Sequence, residues 1–188
     1  MTHQTETIPH DTQTRWLRLY YLVRAGFSLA WVAAIFTLAP LNPLLGAALL
    51  VLYPAWDAAA NYVDATRNGG LAQNRSQAVN VPVSAITTLA VLVTLQVGPG
   101  AVLGVFGAWA ILSGLLQLTT ALRRWKLAGA QWAMVLSGGQ SALAGAAFLF
   151  QSQQAAPAVA PTVAGYAGFG ALYFLVSAIS LFVGRKGK

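Results

Sequence analysis

The chain has no cysteine, and its two histidines both fall within the first ten residues. Without cysteine there is no disulfide, no thiolate metal site and no cysteine nucleophile. With His3 and His10 confined to a polar tail, no Ser-His-Asp set can assemble. Two tail histidines with no third ligand nearby are ordinary solvated residues rather than a metal site. Acidic residues are nearly as scarce: Glu6, Asp11, Asp57 and Asp64 are the only four. Asp57 and Asp64 stand about two helical turns apart, which suits neither a glycosidase pair nor a carboxylate metal cage. The glycine-rich stretches 98–100 and 137–139 lack the lysine of a phosphate loop. The sequence therefore assigns no catalytic, metal or cofactor-binding residue, and a non-enzymatic protein is expected.

Charge of either sign is sparse. Charged residues make up 8% of the 188 positions and hydrophobic ones 57%, against about 25% charged in an ordinary soluble domain. A soluble protein could not cover its outside with so few charges, but lipid removes that requirement. The net charge of +7 does not point to nucleic acid, because no basic soluble domain is present to carry a recognition set. Its natural counter-charge is the anionic lipid headgroups of a cytoplasmic membrane face.

What the chain does have is six apolar stretches, at about 16–38, 43–64, 78–97, 101–122, 129–150 and 163–184. Each is close to the roughly 20 residues that cross a bilayer as a helix. A lipid-exposed backbone must satisfy its own hydrogen bonds, and the alternation of a membrane barrel strand is absent, so helices are expected. The fold class is an all-α integral membrane bundle of six transmembrane helices. The connections at 39–43, 97–101 and 151–162 carry no charge, whereas all eleven lysines and arginines fall in or near the other connections and the termini. Positive charge is retained on the cytoplasmic side, so both termini are expected there. Residues 1–15 are polar, contain Pro9 and read as a disordered tail; 185–188 form a basic tail. The first span reads as a retained signal-anchor. Trp16, Tyr20, Tyr21, Trp125 and Trp132 sit at positions expected for interfacial anchors.

The spans repeat. At the offset that carries Pro40 onto Pro99, ALLVLYPA (48–55) overlays GAWAILSG (107–114). GALYFLVS (170–177) continues the series at a slightly larger offset, the longer third turn accounting for the shift. Three parallel two-helix hairpins, about 16–64, 78–122 and 129–184, are implied, packed with pseudo-threefold symmetry rather than as an inverted repeat. The stretches GAWAILSGLLQLTTALRRW (107–125) and GAQWAMVLSGGQSALAGAAF (129–148) resemble the HdeD-like family of bacterial acid-resistance membrane proteins. The G-x-W-x-x-x-S-G helix, the basic loop and the second small-residue helix carry that resemblance. It implies six helices in an inner membrane and an association with acid stress, and it supplies no catalytic residues. The 52–70 stretch departs from the pattern by carrying acids.

Polar residues inside the spans are the candidate site. Asp57, Asn61 and Asp64 recur at i, i+4 and i+7 and so share a helix face. An acid in a span needs a partner. Arg24 precedes Pro40 by as many positions as Asp57 follows Leu41, so a hairpin brings them to one depth. Arg18 and Asp64, counted from the same two points, agree to within a single position. Two rungs of opposite charge are predicted. They serve either as structural register or as a proton-sensitive gate, since protonating Asp57 would release Arg24. A secondary stripe comprises Ser113, Gln117 and Thr120 on the fourth span and Ser137, Gln140 and Ser141 on the fifth. Gln117 and Gln140 are expected to hydrogen-bond between helices or to line a small cavity. Small residues at 137, 141 and 145, at Gly104, Gly107 and Gly114, and at Gly165, Gly168 and Ala171 mark close helix contacts within the chain or between copies in a homo-oligomer. The functional expectation is a membrane protein acting through helix packing or a partner. The alternative is a small proton, ion or solute channel or transporter built on Arg24, Asp57 and Asn61.

Overall fold

Asn42 and Pro43 show how the helices are punctuated. Asn42 is extended, its side-chain oxygen accepts from the Leu44 N–H at 2.8 Å, and Pro43 occupies the first turn, where its missing N–H costs nothing. At the other end of the same helix, Gly69 and Gly70 take φ of 91° and 86°, a region open to glycine but not to bulkier residues. Asn74 closes that connection by donating to the carbonyls of Asn68 and Gly70.

The computed structural model describes residues 10–124 and 131–183, with side chains described for all of these except 10–14, 120–121, 123–124 and 131–134. The described residues form six helices and no strand: α1 (His10–Leu38), α2 (Pro43–Arg67), α3 (Arg75–Thr94), α4 (Pro99–Arg124), α5 (Gln131–Gln151) and α6 (Val159–Val183). Five of them hold stretches long and apolar enough to cross a membrane: Arg15–Leu38, Pro43–Arg67, Arg75–Thr94, Pro99–Thr119 and Val159–Val183. α5 is not among the five on its described residues. Large apolar side chains such as Leu44, Leu89, Leu143 and Phe150 point outward along the helices. Apolar surface on that scale belongs against lipid, and the chain has the character of a multi-pass membrane protein. α1 starts at His10, so residues 10–15, expected within the tail, are helical. Residues 1–9, Trp125, Lys126 and the basic 185–188 segment lie outside the described residues.

The helices close into a ring in chain order, each touching the next and α6 returning to α1. The contacts alternate between tight and loose. The tight pairs are α4–α5, α1–α6 and α2–α3; α1–α2 and α5–α6 are the loosest neighbours. The closest packing units are therefore not the hairpins expected at 16–64, 78–122 and 129–184. Helices joined by the short turns stand further apart than those joined at the opposite end, which carries the chain termini.

The reason is most visible between α4 and α5. A Cβ on Gly107 would come within 2.9 Å of the Gly145 carbonyl, and one on Gly145 within 2.5 Å of the Gly107 carbonyl. Gly114 and Gly138 stand in the same relation at 2.5 and 2.8 Å, and Gly100 faces the Ser152 carbonyl at 2.6 Å. These contacts recur at every seventh position along an antiparallel pair, so the glycines form one seam and the backbones touch. Gly165 and Gly168 have no such neighbour. On α6 the packing stripe is Ala164, Ala167, Ala171 and Ala178 instead, all buried.

The dry core lies toward the short turns. Leu103, Phe106, Val91 and Val163 are wholly buried there, with Trp31, Ile35 and Val102 around them. Trp31 Nε1 donates at 2.7 Å to the Leu49 carbonyl, in the turn before Pro54. α2 and α3 run on through Pro54 and Pro82.

Candidate functional site

Toward the terminal end the ring holds polar side chains instead. The first predicted rung is present: the Arg24 guanidinium pairs with Asp57 Oδ1, both side chains being largely buried. Arg24 also donates to the Tyr20 hydroxyl at 3.0 Å and lies over the Phe174 ring, 4.5 Å from its centroid. Asp57 Oδ2 accepts from Asn61 at 3.0 Å and from Ser84 at 2.7 Å. Ser84 in turn accepts from Trp109 Nε1 at 3.0 Å. One hydrogen-bonded chain thus runs through four consecutive helices, α1 to α4. Each partner leaves the carboxylate better satisfied, which is the condition for keeping a charge out of water.

The second rung does not form. Asp64 takes neutral donors instead: Trp16 Nε1 at 3.2 Å, Asn68 at 2.9 Å and Gln77 at 2.8 Å. Arg18 lies over the Phe182 ring, 4.5 Å from its centroid, and its Nε has no hydrogen-bond partner. Equal depth does not fix azimuth. The separation between Arg18 and Arg24 is not a whole number of turns, and it rotates Arg18 off the Arg24 face and toward α6. Trp16 and Tyr20, expected as interfacial anchors, serve Asp64 and Arg24; Tyr21 stacks against Phe174. The side chain of Trp132, like Trp125, lies outside the described residues.

The two polar groups predicted separately meet in one cavity of about 310 Å³. Arg24, Asp57, Asn61 and Asp64 line it from α1 and α2, while Ser113, Gln117, Ser137, Gln140 and Ser141 line it from α4 and α5. α3 adds Gln77 and Asn80, and α6 adds Tyr173 and Phe174. Ser137 donates to Gln117 at 3.4 Å, and Ser141 shares a hydrogen bond of 3.2 Å with the Tyr166 hydroxyl. The Ser113 hydroxyl is sealed from solvent and has no partner. Gln140 lines the cavity but makes no bond to Gln117. Thr120 falls among the undescribed side chains.

An aromatic layer separates this cavity from the dry core. Tyr53 stacks obliquely on Trp31 at 4.5 Å and meets the edge of Trp109 at 5.9 Å. Trp109 meets Phe106 at 6.1 Å and Tyr166 at 6.2 Å, both edge-on. Tyr53 and Trp109 are almost wholly buried. None of the residues lining the cavity lies nearer the short turns than these rings. The G-x-W-x-x-x-S-G residues now have physical roles. Gly107 and Gly114 form the seam, Trp109 holds Ser84, and Ser113 faces the cavity.

Ser84 is the residue the sequence reading passed over. It precedes Pro99 by nearly the same count that separates Arg24 from Pro40, so the depth argument that paired Arg24 with Asp57 places it at their level. Tyr53 and Tyr166 gave no comparable signal, because an aromatic in an apolar span reads as packing. Among the described residues no cluster of three or more metal-ligating side chains occurs. Comparison with protein-family models, curated proteins and solved structures finds no match to this chain.

Proposed function

We propose that this protein crosses the membrane six times with its terminal end in the cytoplasm, and that it is a non-enzymatic protein holding a small ligand in the cavity beside Arg24 and Asp57. The sixth crossing is α5. Its antiparallel glycine seam with α4 extends from the level of Gly100 to that of Gly114, so the two helices share their depth. Orientation follows from Arg67 and Arg75 at one end of the ring and the uncharged short turns at the other. A bacterial inner membrane and kinship with the acid-resistance family belong to the same proposal, supported by the 107–148 pattern.

The observation that carries the ligand-binding reading is the convergence of polar side chains from all six helices on one cavity. Polar groups in a membrane interior are costly unless they are paired or put to use. Packing alone would have been served by the apolar contacts of the other half. The glycine ridges of α4 and α5 are consumed by each other, whereas Gly165 and Gly168 on α6 stay open. The plug of Leu103 and Phe106 beneath the aromatic layer argues for a binding cavity rather than an open pore.

The absence of cysteine makes a direct test available. Gln117→Cys should react with a membrane-impermeant thiol reagent from the cytoplasmic side, and Leu103→Cys should react from neither side. Reaction at both positions, with proton flux into liposomes, would establish a channel. Reaction at neither would return the protein to a structural role.

A further inference from the structure

We infer that the cavity receives the uncharged, hydroxyl-bearing head of an amphiphile, which enters sideways from the bilayer between α5 and α6; this rests on the ligand-binding reading above. The ring is loosest on that side, where α5 and α6 touch least of any neighbours among the described residues. Phe169 lines the cavity, is 55% exposed and shares its helix face with exposed Leu172 and Val176, which do not line it. It lies well inside α6, about 15 Å from the helix start, so it is exposed to hydrocarbon rather than to water. Helical spacing puts it on the side of α6 away from the buried alanine stripe that ends with Ala178, and therefore toward α5.

Across the gap stands Gln140. Gly138 and Gly145 face α4, and Gln140 projects from the opposite side of α5. The Ser141–Tyr166 hydrogen bond sets the level of the two helices and brings Gln140 within about a turn of Phe169. An amide and a lipid-exposed phenyl thus flank one opening at mid-membrane. That combination suits a molecule with a polar end and an apolar end.

The chemistry of the head follows from the lining charges. Arg24 is the only basic residue lining the cavity among the described residues, and Asp57 already neutralises it. Among the described lining residues no unpaired cation remains for a phosphate. Asp64 is satisfied by three neutral donors. The remaining capacity is amide: the Asn61 carbonyl oxygen, the Gln117 N–H groups and Gln140. Such groups both donate and accept, which matches hydroxyls rather than an anion. An acylglycerol or alkyl glycoside has this form, with its chain passing Phe169 into the bilayer.

The test uses the full chain in phosphatidylcholine vesicles with a trace of monoacylglycerol carrying a photoactivatable group in its acyl chain. Labelled residues are mapped by mass spectrometry. Labelling should concentrate on α5 and α6 around Gln140 and Phe169, and unlabelled monoacylglycerol at about ten times its Kd should reduce it about tenfold. Free glycerol and phosphatidic acid should not compete. Joining Gln140→Cys and Phe169→Cys with a bifunctional maleimide should abolish the competed labelling, while the unjoined double variant retains it. Uncompeted labelling spread over the lipid-facing surface overturns the inference on the wild-type chain alone. Competition by glycerol would keep the ligand but remove the amphiphile, and competition by phosphatidic acid would overturn the uncharged head. Thiol access to Gln117→Cys is unaffected by any of these outcomes, so failure here leaves the cavity reading standing on its own test.

Discussion

The same six helices meet in opposite ways at the two ends of this bundle. Toward the short turns, Leu103, Phe106, Val91 and Val163 are wholly buried. Toward the termini, carboxylate, guanidinium, amide and hydroxyl groups surround a cavity of about 310 Å³. The difference shows what each end requires. The apolar end needs shape alone, since dispersion between well-fitted side chains is non-directional. The polar end needs direction, because each buried donor or acceptor left without a partner costs about 1–3 kcal/mol. That is why the network from Tyr20 through Arg24, Asp57 and Ser84 to Trp109 spans four helices in sequence.

The sharpest way to break the contrast is to remove one charge. Asp57→Ala should destabilise the folded state by about 3–5 kcal/mol, because Arg24 is left buried and unpaired. Arg24→Met combined with Asp57→Leu should recover most of that loss. Equilibrium unfolding in mixed micelles measures both; a double variant no better than the single would show that the pair contributes more than mutual neutralisation. Next in size is the seam. Gly114→Ala drives a Cβ to 2.5 Å from the Gly138 carbonyl and should cost about 1–3 kcal/mol. Gly168→Ala, with open space around it, should stay within about 0.5 kcal/mol. Equal effects at both positions would mean that α4 and α5 are not in backbone contact. A small change is also expected at Arg18, whose guanidinium rests on Phe182 outside the network. Arg18→Ala should cost less than about 1 kcal/mol in the same unfolding measurement, and a loss as large as that of Asp57→Ala would tie it to the network after all.

Several features of this arrangement are legible in the residues themselves. The Arg24–Asp57 pairing follows from counting back and forward from one turn, since rise per residue converts sequence distance into depth. The same count places Ser84 level with the pair. Depth says nothing of which way a side chain points, however, and the Arg18–Asp64 pairing fails on that ground. Two readings that look equal along the axis are separated by rotation about it. The closeness of the two helices in a hairpin is a related matter. A short turn guarantees that two helices are connected and antiparallel, whereas the closeness of their approach depends on which faces carry small residues. Gly107, Gly114, Gly138 and Gly145 settle that in favour of α4–α5.

Sequence by itself determined the all-helical character of this protein, its apolar outward surface and the depth of its buried charges, because composition and helical rise are local properties of the chain. Tertiary structure alone decided that the Arg24–Asp57 cluster and the Gln117–Ser141 stripe share one cavity, that Trp109 and Tyr53 lie at its inner end, and that α5 and α6 touch only lightly. Those outcomes depend on how six helices rotate and space themselves around a common axis, and that is set by contacts between residues far apart in the chain.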